Sequence, residues 1–253
     1  MIFIDYSYPR TLKITIPGVV QTKQVGKENS DPSLIGYWKF DEGSGTIAYD
    51  SSIYGNDGQL VNNPQWVDGK YGKALQFNGV NTYVNIGKKP SLNNLSNPYF
   101  ISFEAYINRS ENFGNTKWFG IVGTGQYLKP YYRLNYYHSP TENKYTLCGI
   151  LNTSKNGYKG IYDNQNIPPN TFTYVAFTYD GILNKTYLYQ NGINTSFDNN
   201  NNFGGTLYNS PLDFLIGVND NNIPFNGTID EVRVWNRPLT PEEVLNHYLH
   251  GPV

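Results

Sequence analysis

Seven Asx-Gly dipeptides punctuate this chain: Asp57-Gly58, Asp68-Gly69, Asn78-Gly79, Asn156-Gly157, Asp180-Gly181, Asn191-Gly192 and Asn226-Gly227. Asn and Asp tolerate the positive φ that tight hairpin turns need, and Gly adopts it freely. Short alternating runs lie between them: Leu34–Phe40, Ala74–Phe77, Tyr83–Ile86, Phe100–Ile107, Trp118–Val122, Tyr131–Tyr137, Tyr145–Leu151, Phe172–Tyr179, Thr186–Gln190, Asp213–Val218 and Gly227–Trp235. Alternation places successive side chains on opposite faces, which is the signature of half-buried strands. Many short strands joined by such turns predict a β-sandwich or barrel. No period of roughly 20 to 50 residues repeats, which argues against a propeller or solenoid. One helix is predicted, at the C-terminus, where Thr240-Pro241-Glu242-Glu243 forms a capping box with Pro at the first helical position. Val244, Leu245, Tyr248 and Leu249 then form its apolar stripe, for packing on the sandwich.

Aromatic residues make up 16% of the 253 positions and charged residues 15%, which suits a packed core and opposes disorder. With 19 Lys+Arg against 20 Asp+Glu, the net charge of −1 supplies no global field for nucleic acid or anionic lipid. The longest apolar runs are far short of about 18 residues, so no membrane insertion is expected. Met1-Ile-Phe-Ile-Asp5 lacks the basic and apolar regions of a secretory leader. Cys148 is the one cysteine, so no internal disulfide forms and a small buried hydrophobe is expected there.

Residues 1–32 read as an N-terminal arm. Ile2–Tyr8 and Lys13–Ile16 are strand-like, and the polar stretch Gln21–Pro32 reads as a linker. The arm either docks on a sister subunit or larger scaffold, giving a homo-oligomer or surface assembly through residues 1–30, or folds back on its own domain. The domain proper spans residues 33–253. Six N-x-[ST] sequons, at Asn94, Asn108, Asn152, Asn184, Asn194 and Asn226, sit among 34 asparagines. Composition alone gives about four, so glycosylation and chance stay level.

Several segments resemble one family in order along the chain. Gly36-Tyr-Trp-Lys-Phe-Asp-Glu-Gly-Ser-Gly45 with Tyr49–Gly58, then Gly72–Val84, Val175–Gly181 with Tyr189–Gly192, and Phe225–Leu239 resemble the laminin-G-like jelly-roll domains of the concanavalin A-like lectin/glucanase superfamily. The resemblance covers about residues 34–250. It implies an all-β, two-sheet antiparallel jelly-roll β-sandwich with one concave sheet and a short C-terminal helix. The group spans lectins, adhesion modules and glucanases, so the site must decide among them.

Retaining glycosidases need two carboxylates about 5 Å apart. The glucanase branch sets them on one strand as Glu-x-Asp-x-x-Glu or Glu-x-Asp-x-Glu, and this sequence has neither. Adjacent acids such as Asp41-Glu42 and Asp230-Glu231 face opposite sides of a strand. His138, His247 and His250 are scattered, with the last two on the solvated face of the helix. No enzyme is expected. Asp230 shares a parity with Val232 and Val234, and Glu42 with Trp38 and Phe40, so both carboxylates are expected to point inward. An inward carboxylate is costly unless paired or metal-bound. The resemblance implies structural calcium, held by Glu42, Asp230 and the Asn78 segment. The alternative is that Asp230 accepts backbone N–H groups. Asp50 and Asp57 read as turn-formers.

Ile101, Phe103, Ala105 and Ile107 read as core, which turns Ser102, Glu104 and Tyr106 outward, onto what the resemblance implies is the concave sheet. The aromatic segment Asn112–Tyr137 follows. Sugars are held by aromatic faces, with amides and charges on the hydroxyls. A ligand set of Glu104, Tyr106, Trp118, Arg133 and Tyr137 is expected. The partner is then a glycan or glycoprotein surface, met outside the cell or on a virion or cell surface. The rival expectations are a structural surface component anchored by the arm, and a degenerate glycosidase.

Overall fold

The computed structural model describes residues 11–16, 19–24, 31–111, 118–126, 129–139, 142, 144–196, 203–218 and 223–251. Strands β1 (Thr11–Ile16) and β2 (Val19–Gln24) pair as an antiparallel hairpin, with Ile16 opposite Val19. The expected linker therefore loses its first residues to a strand. Val19, Val20 and Thr22 favour extended backbone, and Pro17-Gly18 is a turn dipeptide. The strand expected over Ile2–Tyr8 lies outside the described residues.

The domain opens with β3 (Leu34–Trp38), β4 (Ile47–Ala48), β5 (Gly58–Val61), β6 (Gln65–Asp68), β7 (Lys73–Asn78), β8 (Tyr83–Gly87) and a one-turn helix α1 (Pro90–Asn93). Longer strands follow: β9 (Phe100–Arg109), β10 (Trp118–Gln126), β11 (Lys129–Ser139), β12 (Lys144–Thr153) and β13 (Gly157–Tyr162). The chain continues through β14 (Thr173–Asp180), β15 (Lys185–Gln190), β16 (Ile193–Asn194), β17 (Phe214–Ile216), β18 (Asn226–Trp235) and α2 (Pro241–His250).

Two sheets form a jelly-roll sandwich. One runs β13-β12-β11-β10-β17-β8-β5-β4, the other β16-β15-β14-β9-β18-β7-β6, with β3 paired to β18. Every strand pair is antiparallel, as hairpin turns require. The core fills from both inner faces: Ile101, Phe103, Ala105 and Ile107 of β9, as the alternation predicts, meet Tyr132, Leu134 and Tyr136 of β11. Phe103 stacks on Phe177, and Phe119 on Tyr136. Cys148 is fully buried.

The second apolar cluster lies on the outer face of the β9 sheet. It joins Tyr37, Tyr106, Tyr174, Tyr189 and Trp235 to Leu239 and Val244. Helix α2 covers this face. Its capping box is complete: Thr240 Oγ1 accepts the Glu243 N–H, and Glu243 returns a carboxylate to the Thr240 N–H at 2.9 Å. The buried residues of the helix are Val244 and His247, whereas Leu245 and Leu249 are exposed. The expected stripe is thus turned toward His247, which a polar cluster in the sheet below attracts. Thr240→Ala removes the cap and should destabilise the protein by about 1 kcal/mol. Calorimetry should then read a melting temperature lower by roughly 2–4 °C.

Candidate functional site

The two outer faces hold the sequence-predicted residues apart. Glu104 and Tyr106 do turn away from the core, as alternation demands, but α2 lies over them. Glu104 is 1% exposed. Its Oε1 accepts from the Tyr174 hydroxyl and lies 2.7 Å from Nδ1 of His247. Its Oε2 accepts from Trp235 Nε1 at 2.9 Å and sits 3.6 Å from the Arg233 guanidinium. The Tyr106 hydroxyl donates to the carbonyls of His247 and Tyr248. Neither side chain can reach a ligand, so both leave the expected ligand set. His247, expected on a solvated helix face, is part of this buried cluster. Burial raises the Glu104 carboxyl, but His247, Arg233 and the Tyr174 hydroxyl outweigh it, and the group is held below the usual carboxylate range.

Strand β18 carries the rest of the cluster through a bulge. Asp230 pairs with Tyr106 and Arg233 with Glu104, so two β18 residues oppose the single residue Ala105. Glu231 has φ of 54° there. The extra residue resets the alternation. Val232 and Val234 enter the core as expected, but Asp230 lies on the outer face beside Tyr106. Its inward orientation is thereby overturned. Asp230 Oδ2 accepts the N–H groups of Lys70 and Tyr71 at 2.8 and 3.0 Å. A Cβ at Gly69 would sit 2.6 Å from that oxygen, so only glycine lets the β6–β7 turn close on it. Glu231 accepts from the Tyr37 hydroxyl and lies 3.7 Å from Arg233. The guanidinium rests 4.8 Å from the Tyr37 ring centroid.

The other two expected calcium ligands, Asn78 and Glu42, each accept backbone N–H groups. Asn78 Oδ1 accepts N–H groups of Val80, Asn81 and Thr82, forming a turn. It pairs with Asn226, four positions along β18 from Asp230. Glu42 Oε1 accepts the Tyr49 N–H. Among the described residues no group of three or more His, Cys, Asp or Glu is placed to hold a metal. Asp50 is the turn-former expected, accepting from Tyr37, Ser52 and Asn56.

Trp118, Arg133 and Tyr137 fall together on the outer face of the other sheet. Trp118 pairs with Tyr137 across β10 and β11, with ring centroids 4.6 Å apart. Tyr162 of β13, which alternation did not single out because Gly157 and Gly160 interrupt the pattern of its strand, completes a triangle at 5.8 and 6.0 Å. Trp118 and Tyr137 are half-buried and Tyr162 is 40% exposed. Asn135 and Cys148 lie in the next row, with Tyr162 opposite Cys148. The Asn135 carbonyl oxygen is buried without a donor among the described residues. Arg133 is 1% exposed, so it leaves the expected ligand set. Two clefts, of about 380 Å³ beside Gln59 and Asn85 and about 440 Å³ beside Tyr54 and Ser91, lie away from these rings. The rings are the better candidate, because stacking requires exposed faces rather than a cavity.

A family model described as concanavalin A-like lectin/glucanases superfamily, of the Laminin G type, matches residues 78–245. Domain 4 of an extracellular GH43 arabinanase from Geobacillus stearothermophilus, solved with arabinotriose, superposes with a TM-score of 0.60 at 21% identity, over 85% of this chain and 97% of that one. The binding domain of Paraclostridial Mosquitocidal Protein 1 gives 0.66 at 16%, over 85% and 52%. A Trypanosoma rangeli sialidase with the inhibitor DANA gives 0.59 at 15%, over 85% of this chain and 32% of that chain, so this chain spans about a third of the sialidase. No curated protein matches the sequence.

Two stability measurements check the buried cluster. Glu104→Ala leaves His247 buried beside no anion and Arg233 with Glu231 alone, and urea unfolding should read a loss of about 3–5 kcal/mol. Burial, reinforced by Glu231 and Asp41, raises the Asp230 carboxyl to about 8 against the two N–H groups that lower it. The folded protein then keeps a proton that the unfolded chain releases above about pH 4. That stabilisation is complete below about pH 4 and falls as pH rises to about 8. Asp230→Asn should flatten this slope in unfolding curves taken from pH 4 to 9.

Proposed function

The chain belongs to the concanavalin A-like lectin/glucanase superfamily, and from that premise we propose that it is a non-catalytic glycan-binding module working at an extracellular, virion or cell surface. The observation that carries this reading is the cluster of Trp118, Tyr137 and Tyr162 rings on the outer face of one sheet. Aromatic faces present C–H-binding surface at little entropic cost, and Trp Nε1 and Tyr hydroxyls bond sugar hydroxyls. The burial of the carboxylates supports the non-catalytic part. Glu104 and Glu231 both approach Arg233, but each is at most 2% exposed. A glycosidase pair must flank a substrate bond. The arabinotriose bound by the structurally similar arabinanase domain is in keeping with a saccharide ligand for this fold.

A glycan array tests the reading, run with calcium and with EDTA so that a metal-dependent site separates from stacking alone. Saccharide binding is expected, and Trp118→Ala should weaken it about tenfold or more with an unchanged melting temperature. No saccharide bound in either condition refutes the reading. New reducing ends released from a polysaccharide would refute the non-catalytic part.

A second reading, a surface component anchored through residues 1–30, draws on the β1–β2 hairpin ahead of the domain. Deleting residues 1–30 should leave melting nearly unchanged and lower the assembly state in light scattering. A large loss of stability in a chain that is monomeric either way assigns the arm to the domain.

A further inference from the structure

Four segments close one end of the sandwich, and backbone hydrogen bonds tie them into a unit. The Gly181 N–H donates to Tyr99 O at 2.8 Å, and the Gly205 N–H to Gly181 O at 3.3 Å. The Leu207 N–H donates to Pro98 O at 2.7 Å, and the Thr206 N–H to Ser154 Oγ at 3.0 Å. At the β14–β15 turn, Asp180 Oδ1 accepts the N–H groups of Ile182 and Leu183 at 3.0 and 2.8 Å. This tip is therefore fixed, yet it holds two large apolar side chains in water. Ile182 and Leu183 are each 65% exposed, with Tyr208 at 48% and Tyr99 at 39% beside them. Across the segments 97–99, 153–159, 180–185 and 203–208 there are three lysines, Lys155, Lys159 and Lys185, and one acid, Asp180, which caps the turn. All three lysines are exposed, and Lys159 lies 5.9 Å from the Phe203 ring.

We propose that this end of the sandwich seats on an anionic lipid surface. Ile182 and Leu183 enter the boundary of the acyl region, Tyr99 and Tyr208 sit at headgroup depth, and the lysines face lipid phosphates and carboxylates. The shape selects the occupant. A protein partner needs roughly 800 Å² of matched surface on each side. Two residues on a narrow turn cannot present that, whereas a bilayer interface yields around such a tip. The charge selects the lipid, since each lysine near an anionic leaflet adds favourable attraction. No helix among the described residues is long and apolar enough to cross a membrane, and the contact is with the bilayer surface alone. It departs from the sequence expectation because a net charge of −1 conceals a locally cationic end. The aromatic rings stay clear of it. Thr146, opposite Tyr137, and Thr153, at the tip, are seven positions apart on β12, or roughly 23 Å.

The full chain is sedimented with vesicles of phosphatidylcholine alone and with vesicles containing roughly a third phosphatidylserine. Wild type should sediment with the second and weakly with the first. Ile182→Asp with Leu183→Asp should lower binding about tenfold or more. Lys155→Glu with Lys185→Glu should abolish the preference for phosphatidylserine. All four positions are exposed, so melting temperatures should hold, and Trp118→Ala should bind vesicles as wild type does. Wild type that sediments with neither vesicle overturns the proposal, and so does an Ile182→Asp/Leu183→Asp variant that binds as wild type. A tip variant that instead loses self-association, with vesicle binding intact, also overturns it and assigns the patch to a second copy of the chain.

Discussion

One buried carboxylate fixes the relation between helix and sheet. Glu104 meets Tyr174, Trp235, Arg233 and His247 at once, and these partners come from β14, β18 and α2. A lone carboxylate buried this deeply would be prohibitive, and each partner stabilises the charged form. The geometry is demanding, since a shift of the helix by one turn would remove His247 from the cluster. Apolar packing of Val244 and Leu239 holds α2 on the sheet without choosing its register. The polar cluster chooses it.

That choice determines which aromatic face of the sandwich is covered. Both sheets have an aromatic outer face, and in composition the two are alike: Tyr37, Tyr106, Tyr174 and Trp235 on one, Trp118, Tyr137 and Tyr162 on the other. The helix removes the first from solvent. The second keeps its rings partly in solvent, and Gly120, paired with Asn135, leaves the next row of the sheet without a second large side chain.

The fold was legible because two-residue periodicity and turn chemistry are local. Phe100–Ile107 and Thr240–Glu243 could be read alone, and both stand where the alternation and the capping box put them. Short strands escaped. β4 and β16 have two residues each, too few to alternate, and are held by neighbours. The site was half legible. Parity turned Glu104 and Tyr106 outward correctly, but a linear pattern does not say that a helix 140 residues later covers that face. Asp230 was misplaced for a sharper reason: a bulge shifts every residue beyond it by one, and Glu231 is not a glycine that would have marked it. Tyr162 was reachable as an aromatic at a strand end, but its partners come from strands 25 and 44 residues earlier.

Strand β3 pairs with β18, bringing Leu34 beside Trp235. The first strand of the sandwich therefore finds its neighbour only when nearly the whole domain has been made. At a synthesis rate of about 5–20 residues per second, the ribosome needs roughly 10 to 40 s to supply the closing strand. Through that interval Leu34, Tyr37 and Trp38, all fully buried in the finished protein, have no sheet to join. Closure of this sheet waits for the whole span from Leu34 to Trp235, and the nascent chain must be shielded until residue 235 leaves the exit tunnel.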